Sequence, residues 1–184
     1  SSNLDSVFHG CQAVLPPMIS QRNGRIINIA SLSALYSPAG QANYAAAKMG
    51  IVGLSRIVAM EGARNNVRSN VIAPFAWTRM IASIPVKDEA SAQRVGRMRD
   101  AMRADQVAQL AVALSADSAK HVTSQIFGVR GNEIVLFDQP RPIRSMADLT
   151  GWNPQKILDT CLPAMAPDFF KLDASADVFP YDPV

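Results

Sequence analysis

The chain has 184 residues, of which 48% are hydrophobic and 18% are charged, so it is long enough to bury one domain core and too apolar for a disordered protein. Its net charge is only +3 and the basic residues are spread along the chain, which argues against nucleic acid as a partner. It has no apolar run of about eighteen residues and no signal-peptide pattern at its start, so we expect no membrane partner and a location in the cytoplasm.

The first predicted elements are a helix and a buried strand. Apolar residues at helical spacing over residues 4–18 predict a helix that ends near Pro16 and Pro17, since proline lacks the amide hydrogen that continues a helix. Residues 25–30 have the length and β-branched content of a buried strand, and Ser31 follows them directly. Open α/β sheets bind ligands at the carboxyl ends of their strands, so Ser31 is predicted to lie at such a site.

A second helix is predicted over residues 41–64, and it carries the most informative pair of residues in the chain. Tyr44 and Lys48 are four positions apart, so their side chains share one face of this helix. A phenol loses its proton only near pH 10, about three units above neutral pH, and a neighbouring cation favours the phenolate. The pair is therefore suited to proton transfer. Gly50 and Gly53 are expected to serve tight packing rather than cofactor contact.

The later elements are two strands, a helix and a hairpin. Residues 67–73 predict a strand, and residues 107–114 predict a helix. Residues 125–129 and 133–137 predict two strands of a hairpin. The glycines near the hairpin favour a turn over a phosphate-binding loop, because no helix follows them.

The strand, Ser31, Tyr44 and Lys48 follow one another in an order that resembles the short-chain dehydrogenase/reductases. The match covers most of residues 2–137, and Asn3 resembles a fourth catalytic residue of that family. In such enzymes Tyr44 would move a proton and Ser31 would bond the substrate carbonyl. Lys48 would stabilise the phenolate and hold the nicotinamide ribose, while Asn3 would support a water-linked proton path.

The resemblance also implies a fold and a domain organisation. The fold class is α/β, a Rossmann-like doubly wound parallel sheet, and we expect only its later strands and helices here because no Gly-x-x-x-Gly-x-Gly precedes Asn3. Residues 1–138 would be the C-terminal part of a dinucleotide-binding domain, and residues 139–184 an extension with a helix over 154–161 that an Asn-Pro pair caps. The strand at 25–30 would have an open apolar edge, which we expect preceding residues or a partner chain to cover.

Residues 74–80 read Pro-Phe-Ala-Trp-Thr-Arg-Met, one residue shorter than the usual pattern of the family and without its glycine. This form resembles the (3R)-hydroxyacyl-CoA dehydrogenase module of peroxisomal type 2 multifunctional enzymes and their bacterial relatives. It implies an NAD- or NADP-dependent enzyme that interconverts a secondary alcohol and a ketone on a 3-hydroxyacyl or 3-oxoacyl thioester. The alternatives are a hydroxysteroid dehydrogenase, a 3-oxoacyl carrier-protein reductase, or a catalytically inactive scaffold or interaction fragment.

The same resemblance assigns binding residues. Those expected to bind the cofactor, NAD or NADP, are Tyr44, Lys48, Pro74, Ala76 and Thr78. Those expected to bind the substrate are Ser31, Ser33, Phe75 and Trp77. Five arginines are candidates either for the phosphates of coenzyme A or for ion pairs on a solvated helix face: Arg79, Arg94, Arg97, Arg99 and Arg103.

Two further expectations concern metals and assembly. Cys11 and Cys161 have no metal or redox spacing, so we expect two reduced thiols and no metal site. The helices over residues 3–18 and 41–64 pair between subunits in the family, so a homodimer or homotetramer is expected. The remaining partner is a small-molecule substrate, for which an acyl-CoA is one candidate.

Overall fold

The computed structural model of the chain describes residues 3–36, 39–83 and 88–179. Within these residues the sheet has four strands, and their order in the sheet is their order along the chain. Strands β1, β2 and β3 run parallel, and β4 is antiparallel to β3. The predicted α/β class is confirmed. The strands are β1 (Gly24–Ile29), β2 (Val67–Phe75), β3 (Ile126–Arg130) and β4 (Glu133–Phe137).

Helices connect the strands and continue beyond the sheet. The longest described helix is α3, which agrees with the predicted helix over residues 41–64. The helices are α1 (Asp5–Ser20), α2 (Leu32–Leu35), α3 (Ala42–Gly62), α4 (Arg79–Ala82), α5 (Glu89–Ala101), α6 (Ala104–Ser115), α7 (Pro154–Lys156), α8 (Leu162–Met165) and α9 (Ser175–Val178). Short 3₁₀ segments are Ala63–Asn65, Asp117–Ala119 and Ala166–Asp168, and Ile157–Cys161 is a π-helical segment.

Helices cover both faces of the sheet. On one face, α1 and α3 bury a cluster made of Cys11, Ile26, Val58 and Val67. On the other face, α6 buries a cluster made of Ile72, Leu110, Leu114 and Val129. Alternate residues of a strand point to opposite faces, so a strand with apolar residues at successive positions needs a cover on both sides. This arrangement is the doubly wound sheet that the resemblance implied.

Helix α1 is longer than predicted. It runs through Pro16 and Pro17 to Ser20, so the prediction that it ends at the prolines was wrong. Each proline removes one helical hydrogen bond. However, Met18 and Ile19 pack against the cluster on this face of the sheet. Burial of these side chains therefore offsets the lost hydrogen bonds and keeps the last turn helical.

Strand β1 lies at the edge of the described sheet. It pairs with β2 on one side, and no described strand lies on its other side. Ile29, at its carboxyl end, is 43% exposed. The described residues thus leave the apolar edge open, as predicted, and the cover over this edge stays a prediction.

The chain divides into two compact units. The described residues up to Phe137, together with those from Ala174, form the first unit, and Asp138–Asp173 form the second. In the second unit the predicted cap is confirmed, because the Lys156 amide donates to Asn153 Oδ1 at 2.9 Å. The helical stretch continues past the predicted end at Cys161. Across residues 3–36, 39–83 and 88–179, every helix is too short or too polar to span a lipid bilayer.

Candidate active site

Ser31 lies at the carboxyl end of β1. The amide of Ala30 donates to the carbonyl of Ile72 at 2.8 Å, so the β1–β2 ladder continues to the residue just before Ser31. Ser31 then caps α2, because its Oγ accepts a hydrogen bond from the Ser33 amide at 3.2 Å. A hydroxyl that accepts one hydrogen bond keeps its own hydrogen to donate. The partly buried Ser31 hydroxyl can therefore donate to a substrate oxygen at this end of the sheet.

Lys48 ties helix α3 to the same end of β1. Its Nζ donates to the carbonyl oxygen of Ile29 at 3.0 Å, two residues before Ser31. The same Nζ lies 5.8 Å from the centre of the Tyr44 ring, within the range of a cation–π contact. Both side chains are partly buried, which keeps them open to a ligand. The structure thus brings the positive charge of Lys48 beside the phenol ring and holds both residues at the strand end that carries Ser31.

Asn3 shares a cavity with Lys48. The cavity has a volume of about 450 Å³ and lies between α1 and the open side of β1. Asn28 also lines it, and its side-chain Nδ2 donates to Ser69 Oγ at 3.4 Å. Asn28 was not predicted as a site residue, although an asparagine inside an apolar strand is a signal for a buried polar contact.

Cys11 forms part of the same cavity wall. Its Sγ donates to Asn28 Oδ1 at 3.8 Å. Burial raises the pKa of the Cys11 thiol, and the hydrogen bond with Asn28 opposes this shift. A raised pKa leaves the thiol protonated at neutral pH, so Cys11 is a wall residue of the cavity rather than a nucleophile.

A glycine in α3 allows the residues around Asn3 to approach Lys48. A Cβ at Gly50 would lie 2.9 Å from Leu4 Cδ2, so Leu4 could not keep its position against α3 if residue 50 had a side chain. The predicted packing role is confirmed for Gly50. Gly53 makes no such contact within the described chain, because a Cβ there would meet no heavy atom within 4 Å, and its packing against a partner helix stays a prediction.

The loop after β2 lies at the same carboxyl end of the sheet as Ser31. Pro74 and Phe75 are the last residues of β2, and β2 runs parallel to β1. Ala76 is partly buried, and the amide of Trp77 donates to the Met102 carbonyl at 2.6 Å. This bond fixes the loop against the end of α5. The loop thus lies at the carboxyl end of the parallel strands, where open α/β sheets bind ligands.

Two of the predicted ligand hydroxyls, those of Thr78 and Ser33, lie at the start of a short helix or within one. Thr78 Oγ1 accepts from the Ile81 amide at 3.4 Å, so Thr78 caps α4 and keeps its own hydrogen to donate. Ser33 lies within α2 and is partly buried.

The arginines of the insert do not converge on one site in the described residues. Arg99 pairs with Asp100 and Arg103 pairs with Asp105, both at 2.9 Å on the exposed surface. Each guanidinium holds the pKa of its aspartate below the usual range. These two pairs match the predicted alternative of a solvated helix face. Arg79 and Arg97 are exposed, and the side chain of Arg94 lies outside the described residues.

No group of three or more His, Cys, Asp or Glu side chains in the described part of the chain is arranged to hold a metal ion. Both cysteines are free thiols.

Comparison with known proteins agrees with this architecture. A family model described as "Enoyl-(Acyl carrier protein) reductase" matches residues 1–131. The 3-oxoacyl-(acyl-carrier-protein) reductase of Thermotoga maritima is 37% identical over 134 residues, which is 72% of this chain and 54% of that protein. The peroxisomal multifunctional enzyme type 2 of Drosophila melanogaster is 51% identical over 82 residues, which is 45% of this chain and 14% of that protein. The chain thus spans about half the length of the Thermotoga reductase.

A solved structure extends the likeness to the fold. A short chain dehydrogenase from Mycobacterium avium matches with a TM-score of 0.76 and 26% sequence identity, over 94% of this chain and 56% of that one. The sequence match and the shared fold cover the same elements that carry Ser31, Tyr44 and Lys48. This chain therefore belongs to the short-chain dehydrogenase/reductase family.

Proposed function

We propose that residues 1–138 are the C-terminal part of a nicotinamide-dependent oxidoreductase domain that interconverts a secondary alcohol and a ketone. One observation carries this proposal above the others. The hydrogen bond of 3.0 Å from Lys48 Nζ to the Ile29 carbonyl holds the helix with Tyr44 against the strand end with Ser31. Proton transfer and carbonyl binding need their groups on rigid elements that lie next to each other. This hydrogen bond holds the two elements together.

The proposed mechanism uses three side chains around one carbonyl oxygen. Ser31 donates a hydrogen bond to that oxygen and stabilises the charge that develops on it, which contributes on the order of 3 kcal/mol for a well-placed donor. Tyr44 gives the proton to the oxygen in reduction and takes it back in oxidation. Lys48 places its positive charge beside the phenol, and Asn3 in the shared cavity supports the path that returns the proton.

The available donors fit a nicotinamide nucleotide. The Lys48 ammonium has donors for ribose hydroxyls, and the Thr78 hydroxyl hydrogen suits an amide carbonyl. Pro74 and Ala76 precede Thr78 at the same edge of the sheet and would line the nicotinamide side. When bound, the nicotinamide supplies or accepts the hydride. Comparison of NADH with NADPH as the reductant, at equal concentration, decides between the two cofactors.

We propose a 3-hydroxyacyl or 3-oxoacyl thioester as the substrate. The name of the Thermotoga relative specifies a 3-oxoacyl group on acyl carrier protein, and this supports the thioester class. Substrate contacts are assigned to Ser31, Ser33, Phe75 and Trp77, which follow two neighbouring parallel strands. A hydroxysteroid is the alternative substrate.

The substrate test compares carriers of one acyl group. The protein that carries this chain is assayed with acetoacetyl-CoA, acetoacetyl acyl carrier protein and the acetoacetyl ester of a small thiol. If coenzyme A is the carrier, Arg97→Ala together with Arg99→Ala raises KM for the CoA ester and leaves the small-thiol ester unchanged, because only remote phosphate contacts are lost. The exposed pair partner Asp100→Ala is the control. Equal turnover of all three esters contradicts recognition of coenzyme A as the carrier, and a steroid alcohol that outperforms them contradicts the thioester proposal.

We also propose a homodimer or homotetramer joined through α1 and α3. Both helices expose large apolar side chains to solvent, including Phe8 at 48%, Ile57 at 51% and Met60 at 66%. Ile57 and Met60 lie three positions apart and share one face of α3, and neighbouring exposed apolar side chains mark an interaction site. Light scattering at micromolar concentration should show at least a dimer, and a charged substitution, Ile57→Glu, should shift it towards the monomer. A monomeric protein without the substitution contradicts the proposal.

A further inference from the structure

Three aromatic rings from distant parts of the chain form a row beside the candidate active site. The ring of Tyr36 lies 6.2 Å from that of Phe137, centre to centre, and Phe137 lies 6.3 Å from Phe179 at an interplanar angle of 86°. These distances fall within the range of favourable aromatic pairs. Tyr36 directly follows α2, the short helix that Ser31 begins, and Phe179 directly follows α9. The row therefore connects the returning segment at the end of the first unit to the turn that carries Ser31.

The row of rings packs against Gly128, a glycine of the sheet. A Cβ at Gly128 would lie 2.9 Å from Cε2 of Phe137 and 3.5 Å from Cδ2 of Leu32. Leu32 follows Ser31 in the chain and is only 7% exposed. Phe137 and Leu32 thus both pack against Gly128 of β3. The ring of Phe137 therefore supports the Ser31 turn from the side of the sheet.

The outer end of the row is also fixed. The guanidinium carbon of Arg130 lies 4.7 Å from the centre of the Phe179 ring, within cation–π distance. Arg130 ends β3, and its Nε donates to Glu133 Oε2 at 3.0 Å across the hairpin. Phe179 therefore packs between Phe137 and a side chain that the sheet itself holds in place.

The Ser31 turn needs such support, because the helix that it begins is short. Helix α2 has four residues, and a helix of that length is unstable without external contacts. The local hydrogen bonds of the turn include the cap from the Ser33 amide to Ser31 Oγ at 3.2 Å and the backbone bonds from the amides of Ala34 and Tyr36, both at 2.9 Å. Packing of the turn against its neighbours must supply most of its order.

We infer that Phe179 is a positioning residue for Ser31, acting through Phe137 and Tyr36. The returning segment presses its ring against Phe137, and Phe137 in turn keeps Tyr36 and the turn 31–36 in one conformation. The catalytic consequence rests on the proposed function, since it requires that Ser31 bonds the substrate carbonyl. The structural part does not, because it concerns the order of the turn alone.

Amide hydrogen exchange tests the structural part. In Phe179→Ala, the amides of Ser33, Ala34 and Tyr36 should exchange about tenfold faster, while the β1–β2 ladder keeps its rates. Phe170→Ala is the matched control, because Phe170 is 91% exposed and belongs to the second unit. Phe179→Tyr keeps the ring and should restore slow exchange. Unchanged exchange at the turn overturns the inference. It is also overturned if the β1–β2 ladder is accelerated as much as the turn, or if Phe170→Ala accelerates the turn as much as Phe179→Ala does. If Phe179→Ala does not fold, Phe179→Leu keeps the apolar bulk without the ring and allows the same comparison.

Kinetics test the catalytic consequence. In Phe179→Ala, kcat and kcat/KM should both fall by about tenfold, with the cofactor dissociation constant unchanged, because a misplaced Ser31 stabilises less of the charge that develops on the carbonyl oxygen in the transition state. Phe179→Tyr should recover the rate. A change confined to KM, or no recovery in Phe179→Tyr, overturns the positioning of Ser31. If the unsubstituted protein turns over no thioester, the proposed function fails, and the exchange rates still decide whether Phe179 orders the turn.

Discussion

Ile51, Val67 and Ile72 in the first unit have no exposed surface, whereas none of residues 138–173 in the second unit is buried. The second unit instead shows local polar contacts. Lys156 Nζ pairs with Asp148 Oδ2 at 2.9 Å, and Arg144 Nε pairs with Asp168 Oδ2 at 2.8 Å. One unit thus buries apolar side chains around a sheet, whereas the other has only partly buried or exposed residues with ion pairs between them.

This difference explains where the candidate chemistry lies. Removal of apolar surface from water is the main source of stability in a domain, while exposed ion pairs contribute little. Groups that must keep fixed distances therefore need the support of the buried sheet. Ser31, Tyr44 and Lys48 all stand on elements of the first unit that pack directly on the sheet.

The largest expected effect separates chemistry from folding in the first unit. Tyr44→Phe removes only the phenol oxygen, so turnover should fall by at least about a hundredfold while cofactor binding and the unfolding temperature stay nearly unchanged. Tyr36→Phe is the control, because it also loses one hydroxyl but keeps the aromatic contact with Phe137. Steady-state kinetics and thermal unfolding measure both. More than about a hundredth of the activity in Tyr44→Phe would contradict the role of Tyr44.

The second prediction sets the two units directly against each other. Ile72→Ala should lower the free energy of unfolding by about 2–5 kcal/mol, because it leaves a cavity in the buried cluster. Leu158→Ala in the second unit, where the side chain is 58% exposed, should change it by no more than about 0.5 kcal/mol. Urea unfolding of both variants gives the two values. Similar losses would mean that the second unit has a core of its own.

A third prediction compares two glycines of α3 within the first unit. Within a single chain, Gly53→Ala should raise the free energy of unfolding by about 0.8–1 kcal/mol, since alanine favours the helix and the added methyl group meets no described atom of the same chain. Gly50→Ala should gain less, because Leu4 must move, and this displaces the residues around Asn3. The difference between the two unfolding energies measures the packing at Leu4. Equal gains would show that Leu4 adjusts freely.

The smallest expected effect concerns the polar contacts of the second unit. Hydrogen bonds from Thr150 and then from Lys156 hold the pKa of Asp148 below its ordinary value of 3.8. The folded pKa is below the unfolded one, so the carboxylate stabilises this unit above pH 3.8, and the contribution is lost as the pH falls through the lowered pKa. A carboxyl titration by NMR should show a midpoint that moves upward in Thr150→Val. An unchanged midpoint would mean that the Thr150 hydroxyl does not contribute to the lowered pKa of Asp148.

The sequence predicted most of the first unit, for reasons that individual residues make clear. The apolar run that ends at Ser31 located both β1 and its carboxyl end, and the spacing of Tyr44 and Lys48 located one face of α3. These signals are local. The continuation of α1 beyond Pro17 was missed, because it depends on where Met18 and Ile19 pack in the folded chain. Periodicity contains no information on such tertiary contacts.

The row of Tyr36, Phe137 and Phe179 was equally invisible in the sequence. Each ring lies far from the others along the chain, and no spacing rule connects them. The same holds for the contact of Lys48 with the carbonyl of Ile29, which is a backbone group that any residue would offer. Side-chain patterns predicted the catalytic candidates, whereas the contacts that hold them in place required the structure.

The order of the strands in the sheet has a consequence for how the chain folds. Each described strand pairs with its neighbour in sequence, so no strand is inserted between two earlier ones. The β3–β4 hairpin closes over two residues, and hairpins of this kind form in about 1–10 μs. The parallel pairs take longer, because a helical crossover must close first. As the ribosome delivers the chain, β2, β3 and β4 each find the preceding strand that they pair with already synthesised.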